Sequence, residues 1–239
     1  MDNIVYFIIA LGSSSLGSML GIGGGVIIVP FLITVGISKE LAAVSSSLTV
    51  CLMAAISSYT YLKRKQGEVK TALFIAAGSI PGSYLGVYLN GTVPPKLFNI
   101  LFACLMLILL ILMFIKDKIS TIKLGNIAKI IFGVFIGILS GLFGIGGGPI
   151  TVPVLLIFFA LQQREVSATS SYITLITSLT SVLLNVRSGN NDLSLAIFML
   201  PGAIIGAKIG TFFNKKVSEK SLTIIFNILL VSLLVKQLI

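Results

Sequence analysis

The chain has 239 residues, 56% of them apolar and only 10% charged, and its mean hydropathy is +1.11. Such a composition does not keep a globular chain in water, and apolar segments take up so much of the length that no room remains for a soluble catalytic domain. The net charge of +10 reads as membrane orientation and contact with anionic lipid, and loops this short argue against a nucleic-acid partner.

The first apolar segment, 4–20, follows Met1-Asp2-Asn3 without a basic region or an A-x-A-like cleavage site, so a removable signal peptide is not expected. It runs into Leu20-Gly21-Ile22-Gly23-Gly24-Gly25-Val26-Ile27-Ile28-Val29-Pro30 and a short apolar segment, 26–35. Longer segments follow at 41–62, 71–89 and 97–115. The series then starts again with 127–143, which leads into Phe143-Gly144-Ile145-Gly146-Gly147-Gly148-Pro149-Ile150-Thr151-Val152-Pro153. A second short segment, 150–161, precedes long ones at 166–186, 193–213 and 221–238. A spanning helix needs roughly 20 apolar residues, which the eight long segments approach or reach. At about 1.5 Å per residue the two short ones cover roughly half of a 30 Å core and read as half-helices. Cys51 and Cys104 fall inside predicted helices without CxxC spacing; they read as small packing residues, and neither a metal nor another cofactor is expected.

The chain repeats itself. The glycine runs are 123 residues apart, Lys39-Glu40-Leu41-Ala42-Ala43-Val44-Ser45-Ser46 matches Arg164-Glu165-Val166-Ser167-Ala168-Thr169-Ser170-Ser171 at 125, Pro81-Gly82 to Gly86 matches Pro201-Gly202 to Gly206 at 120, and Val93 matches Val217 at 124. Offsets that differ only by loop-sized steps divide the chain into a membrane repeat 1–115, a linker 116–126 and a membrane repeat 127–239.

Two arrangements are open. If 4–20 spans alone, each half crosses four times, the halves are parallel, and the basic residues divide 10 against 7. If the first helix and the half-helix form a hairpin that enters and leaves on one face, each half crosses three times, the halves are inverted, and the division becomes 13 against 4. The positive-inside rule favours the second. The expected fold is therefore an all-α polytopic membrane protein of two inverted repeats, each a hairpin broken at glycine plus three spanning helices. Both termini then lie outside, and the loops around 63–70, 116–129 and 208–220 lie in the cytoplasm.

Inversion brings both glycine runs toward the bilayer midplane from opposite faces. Glycine frees backbone N–H groups, which is tolerated at that depth only where the backbone is buried in protein or lines a polar cavity. Each run precedes a half-helix, so unpaired N–H groups and the positive dipole end point at whatever lies between them. Pro149 suits a first helical turn, where its missing N–H costs nothing. The expected site is an anion site of backbone, formed by Gly21, Gly23, Gly24, Gly25, Gly144, Gly146, Gly147, Gly148 and Pro149. Hydroxyls of Ser46, Ser47, Ser170 and Ser171, early in the helices that follow, are expected to supplement it; the competing role is bonding to their own helix carbonyls. By contrast Gly82/Gly86 and Gly202/Gly206/Gly210 have small-xxx-small spacing and read as helix packing.

Paired G-x-G-G-G runs ahead of proline-containing half-helices, P-G-x-x-x-G in each half, and eight long apolar helices resemble the TauE/SafE family of sulfite and organosulfonate exporters. The resemblance covers essentially the whole chain. It implies transport of a small anion, a sulfur oxyanion, sulfonate or sulfoacid, across the bacterial inner membrane. Val26 stands where the second half has Pro149, so the two half-sites are expected to differ. A small anionic substrate and membrane lipid are the partners expected, with a homo-oligomer left open.

Charge within the segments is sparse. Lys208 lies close enough to a helix end to snorkel, and Glu40 and Glu165 sit at helix N-termini, where a carboxylate favours the dipole. No histidine exists, and Asp2, Asp117 and Asp192 all lie in loops or ends, so neither a Ser-His hydrolase nor an intramembrane aspartyl protease can be assembled. A reporter fused after Lys65 should be cytoplasmic and one after Lys96 external; the reverse pattern overturns the orientation.

Overall fold

The computed structural model describes residues 3–115, 124–159, 161–189 and 192–238. Within them the chain is all-helical, in ten helices. The first half holds α1 (Asn3–Leu20), α2 (Gly25–Thr34), α3 (Lys39–Lys63), α4 (Val69–Thr92) and α5 (Pro95–Ile115); the second holds α6 (Asn126–Phe143), α7 (Gly148–Phe158), α8 (Gln163–Arg187), α9 (Ser194–Lys216) and α10 (Glu219–Leu238). Among the described residues seven helices are long and apolar enough to cross a membrane, whereas α2 and α7 have only 10 and 11 residues. Most of the linker 116–126, together with its Lys116, Lys118 and Lys123, falls outside the described residues.

Local chemistry sets the ends. Ser38 caps α3 by accepting the Leu41 N–H at 3.3 Å, and Glu165 reaches back to the Gln162 N–H at 3.3 Å as half of a capping box on α8. Gly144 ends α6 in the left-handed conformation, φ 68°, which glycine adopts without a Cβ clash.

Direction follows from which residues touch. On α9, Gly202, Gly206 and Gly210 lie against the Phe7, Leu11 and Ser15 carbonyls of α1, so the contact advances along both chains together and the helices run parallel. On α4, Gly78, Gly82 and Gly86 meet the Ile130, Val134 and Ile138 carbonyls of α6 in the same way. By contrast α3 and α8 are antiparallel. The Glu68 N–H, just after α3, donates to Thr169 Oγ1 near the start of α8 at 2.8 Å, and Tyr172 donates to the Gln66 carbonyl at 2.6 Å. Tyr61 of α3 donates to the Ser18 carbonyl at 2.7 Å, joining the C-terminal ends of α1 and α3. Helix α1 therefore runs in the same sense as α3, and α2 brings the chain back to the face where α1 began. Each half has an odd number of net crossings, and a pseudo-two-fold exchanges α1 with α6, α3 with α8 and α4 with α9. The halves are inverted.

The packing corrects two registers. Gly21 and Gly144, equivalent at 123, lie against Ser167 and Ala43, so α3 and α8 match at 124 rather than 125. The glycine ladder equates Gly78, Gly82 and Gly86 with Gly202, Gly206 and Gly210, an offset of 124 rather than the 120 taken from the P-G-x-x-x-G match. Glycines four apart look alike after a shift of one helical turn of 3.6 residues, so the motif by itself left the register degenerate. Lipid offers no hydrophobic drive between helices, so association relies on close backbone approach at such small residues. The outer faces carry exposed Ile4, Tyr84, Phe114, Ile127 and Ile197, as lipid contact requires.

A Cβ at Gly82 would lie 2.2 Å from the Val134 carbonyl, and one at Gly137 would lie 2.2 Å from that of Ser79, while Gly12 has nothing within 4 Å. Gly82→Ala and Gly137→Ala should each cost about 1–3 kcal/mol by overpacking. Gly12→Ala should be neutral or stabilising by about 0.5–1 kcal/mol. Thermal unfolding in detergent measures both.

Candidate functional site: two glycine breaks in contact

The two glycine runs meet at the centre. A Cβ on Gly25 would stand 2.6 Å from Ile145 Cα, and one on Gly148 would stand 2.3 Å from both the carbonyl carbon and oxygen of Ile22. The contact is backbone against backbone. Mid-helix residues of α3 and α8 close on it, since Val50 and Thr174 both touch the Cβ positions of Gly23 and Gly146. Each break is also seated on the opposite half: Gly21 lies against Ser167 of α8 and Gly144 against Ala43 of α3.

Gly24 and Gly147 are the N-caps of α2 and α7. The first bonds of α2 run from the Ile27 and Ile28 N–H groups to the Gly24 carbonyl, both at 3.1 Å; those of α7 run from Ile150 and Thr151 to Gly147, at 3.2 and 3.0 Å. The N–H groups of Gly25, Val26 and Gly148 therefore precede the helical ladder, with the positive ends of both dipoles. Pro149 removes one such donor from the α7 end. The two ends differ in backbone as well: Gly24 has φ −72°, whereas Gly147 has φ +76°, a left-handed conformation that glycine adopts without a Cβ clash.

The four serines fare differently. Ser46 Oγ is buried, has no hydrogen-bond partner and lies 2.9 Å from the Cβ position of Gly25. Ser47 Oγ is also buried and unpartnered. Ser170 donates to the Gly21 carbonyl at 2.5 Å, and Ser171 to the Ser167 carbonyl of its own helix at 2.8 Å. The protons of that pair are committed to structure, one to holding the first break and one to the helix. Around Gly147 lie Ile136, Ser140 and Thr177, and Thr177 donates to the Gly146 carbonyl at 2.6 Å. The side chains that touch the breaks are uncharged, and Lys208 is exposed on α9.

Two asparagines are site-supporting residues that the motif reading missed. Asn90 Nδ2 donates to the Leu142 carbonyl and Asn214 Nδ2 to the Met19 carbonyl, each at 2.6 Å. They cap the last turns of α6 and α1 just ahead of the breaks. Their spacing of 124 is the ladder register, and that register would have found them. Lys39, 6% exposed, donates to the Asn90 carbonyl and pairs with Glu40 at 2.6 Å.

A cavity opens at each end of the α3/α8 pair. One, of about 240 Å³, is lined by Ser38, Glu40, Leu41, Val44 and Asp192. The other, of about 310 Å³, includes Glu68, Thr71, Lys129, Phe159 and Glu165. Each mouth carries two carboxylates, one from each half: Glu40 with Asp192 at the first and Glu68 with Glu165 at the second. Ser194 donates to Asp192 from its N–H at 3.0 Å and its hydroxyl at 2.6 Å, which holds that carboxyl below the ordinary range. At the other mouth Lys129 donates to Thr71, which donates to Glu68 at 2.6 Å. Among the described residues no three His, Cys, Asp or Glu side chains group to hold a metal ion.

Asn90→Ala and Asn214→Ala each leave a buried carbonyl without its donor and should destabilise by about 1–3 kcal/mol. Detergent melting curves test this, and loss at one site alone would break the equivalence of the two ends.

Comparison with known proteins agrees with this architecture. A family profile described as "Sulfite exporter TauE/SafE" matches residues 6–236. The chain is 28% identical to the probable membrane transporter protein YunE of Bacillus subtilis over 97% of this chain and 95% of that protein. It is 31% identical to the probable membrane transporter protein MJ0441 of Methanocaldococcus jannaschii, over 95% and 90%. It is also 22% identical to the probable membrane transporter protein YfcA of Escherichia coli, over 87% and 78%. No solved structure matches. These relatives are named as transporters rather than enzymes, and the chain, a multi-pass membrane protein with two inverted repeats, belongs to the TauE/SafE family of membrane transporters.

Proposed function

We propose that this protein moves a small anion, a sulfur oxyanion or an organosulfonate or sulfoacid, across the cytoplasmic membrane of a bacterial cell, with export favoured, by alternating access around the paired glycine breaks. The observation that carries this reading is the meeting of two half-helix N-termini at the centre of the chain, beside the unpartnered Ser46 hydroxyl and with no charged side chain in contact. Backbone N–H groups and dipole ends favour negative charge there. A site without a fixed cation binds an anion weakly enough to release it. The breaks touch, so they must separate to admit a substrate, and the two repeat-related mouths supply opposite openings for such a motion. An inside-negative potential favours anion exit by roughly 2.3 kcal/mol per charge per 100 mV, so export needs no coupling ion. The family's description as a sulfite exporter supports the same cargo and direction.

A second reading, proton-coupled anion uptake, draws on the carboxylate pair at each mouth, since two nearby carboxylates can share a proton.

The test is flux in proteoliposomes with sulfite, sulfate, thiosulfate, alkyl sulfonates, sulfoacetate and carboxylates, with and without an imposed pH gradient. Saturable anion flux that follows the membrane potential and ignores the pH gradient is expected. Gly147→Leu and Gly24→Leu should reduce it to the protein-free background with insertion intact. Full transport by these variants overturns the central site, and flux that requires the pH gradient selects the coupled reading.

A further inference from the structure

The pseudo-two-fold sets Val50 of α3 opposite Thr174 of α8, equivalent positions 124 residues apart. Each touches both breaks. Val50 Cγ1 lies 3.5 Å from the Cβ position of Gly23 and 2.6 Å from that of Gly146; the Thr174 methyl lies 3.5 and 3.1 Å from the same two points. The side chains have nearly the same shape and differ by one hydroxyl in place of one methyl. Burial makes that difference matter. Thr174 Oγ1 is fully buried and has no hydrogen-bond partner. A polar group in such a place is costly unless something completes its bonding.

The neighbours carry the same asymmetry. On the second-half side Ser140, fully buried and unpartnered, stands beside Gly147, and Thr177 binds the Gly146 carbonyl. The corresponding first-half positions are Gly17 and Met53. Met53 packs with Val50 in a small apolar cluster with Ala54, Ala203 and Ala207. Ser46 contributes a first-half hydroxyl about one turn earlier in α3, beside the start of α2, and Ser13, whose hydroxyl donates to the Ala10 carbonyl of its own helix, stands beside Gly24, so the apolar wall is confined to Val50 and Met53. One side of the breaks thus offers spare hydroxyls where Pro149 has removed an N–H, and the other offers hydrocarbon.

We propose that Val50 and Thr174 are the selectivity pair of this transporter: Thr174, with Ser140, binds oxygens of the anionic head, while Val50 and Met53 receive an apolar substituent. The favoured cargo is an anion with a charged head and a carbon substituent, over an inorganic anion that presents oxygen on every side. A hydroxyl-lined wall satisfies the oxygens of the head, whereas a wall of methyl groups strips water from any oxygen forced against it. This inference rests on the reading that the glycine breaks form the anion site.

The test exchanges the two near-isosteric side chains and measures competing uptake of ethanesulfonate and sulfate into proteoliposomes. Wild type should prefer ethanesulfonate. V50T should raise the sulfate-to-ethanesulfonate ratio about tenfold, the scale of one hydrogen bond to a charged group. T174V should lower transport of both anions, and T174S, which keeps the hydroxyl, should retain it. The double exchange V50T/T174V keeps one hydroxyl and one methyl wall in the pair while Ser140 and Met53 stay in place, so it should restore part of the preference for ethanesulfonate, a rescue that a purely structural role does not give. An unchanged ratio in folded V50T, or a wild type that prefers sulfate, overturns the selectivity pair while leaving the anion site in place. Absence of saturable flux of every anion in the full panel by wild type overturns the site itself. Size-exclusion and melting profiles of each variant separate misfolding from altered selectivity.

Discussion

Lipid cannot hydrogen-bond to a peptide group, so every N–H and C=O at membrane depth must find its partner inside the protein, and two glycine runs that interrupt helices there must be covered. The fold answers by laying the two interruptions against each other. Gly25 meets Ile145, Gly148 meets Ile22, and α3 and α8 close over both. The ends of the preceding helices are capped by amides from the opposite halves, Asn90 for α6 and Asn214 for α1. Thr177 serves the second break from within its own half, but the amide caps come from the opposite half at both breaks, so neither half is complete without the other.

That dependence explains the interlocked packing. Helix α1 pairs with α9, α6 pairs with α4, and α3 and α8 cross at the centre. The pairs α1/α9 and α4/α6 are held by glycine ladders that bring carbonyl groups within reach of the opposite backbone. Close approach of this kind resists gradual deformation, and motion is more easily accommodated between rigid groups of helices than within them. The central contact joins two half-length helices by small residues, with hydroxyls around it that have no partner. Strength lies in the outer ladders and reactivity at the centre.

Inverted symmetry makes the two faces alike in construction but not in chemistry. Both mouths carry a carboxylate from each half, yet one contains Lys129 in a chain with Thr71 and Glu68, and at the other Lys39 is buried under the Asn90 carbonyl. At the centre, Pro149 replaces Val26 and Thr174 replaces Val50. Duplicated halves that diverge at their shared axis can bind an asymmetric ligand, and this divergence sits where the breaks touch.

Ten helices, the two half-helices and the repeat were legible in the chain, because hydropathy, length and glycine placement act locally and lipid enforces them on every segment. Inversion was legible through the basic residues alone, because loop charge responds to the membrane rather than to packing. The serines were only half legible: adjacent hydroxyls look alike in sequence, whereas Ser46 is left free beside Gly25 and Ser170 is spent on the Gly21 carbonyl. The register of the glycine ladder, the capping asparagines and the opposition of Val50 to Thr174 depend on which helix faces which, at a resolution finer than one turn. The sequence by itself determined that backbone would be broken twice within the membrane. Only the tertiary structure decided that the two breaks touch and what surrounds them, because those contacts join residues more than 100 positions apart.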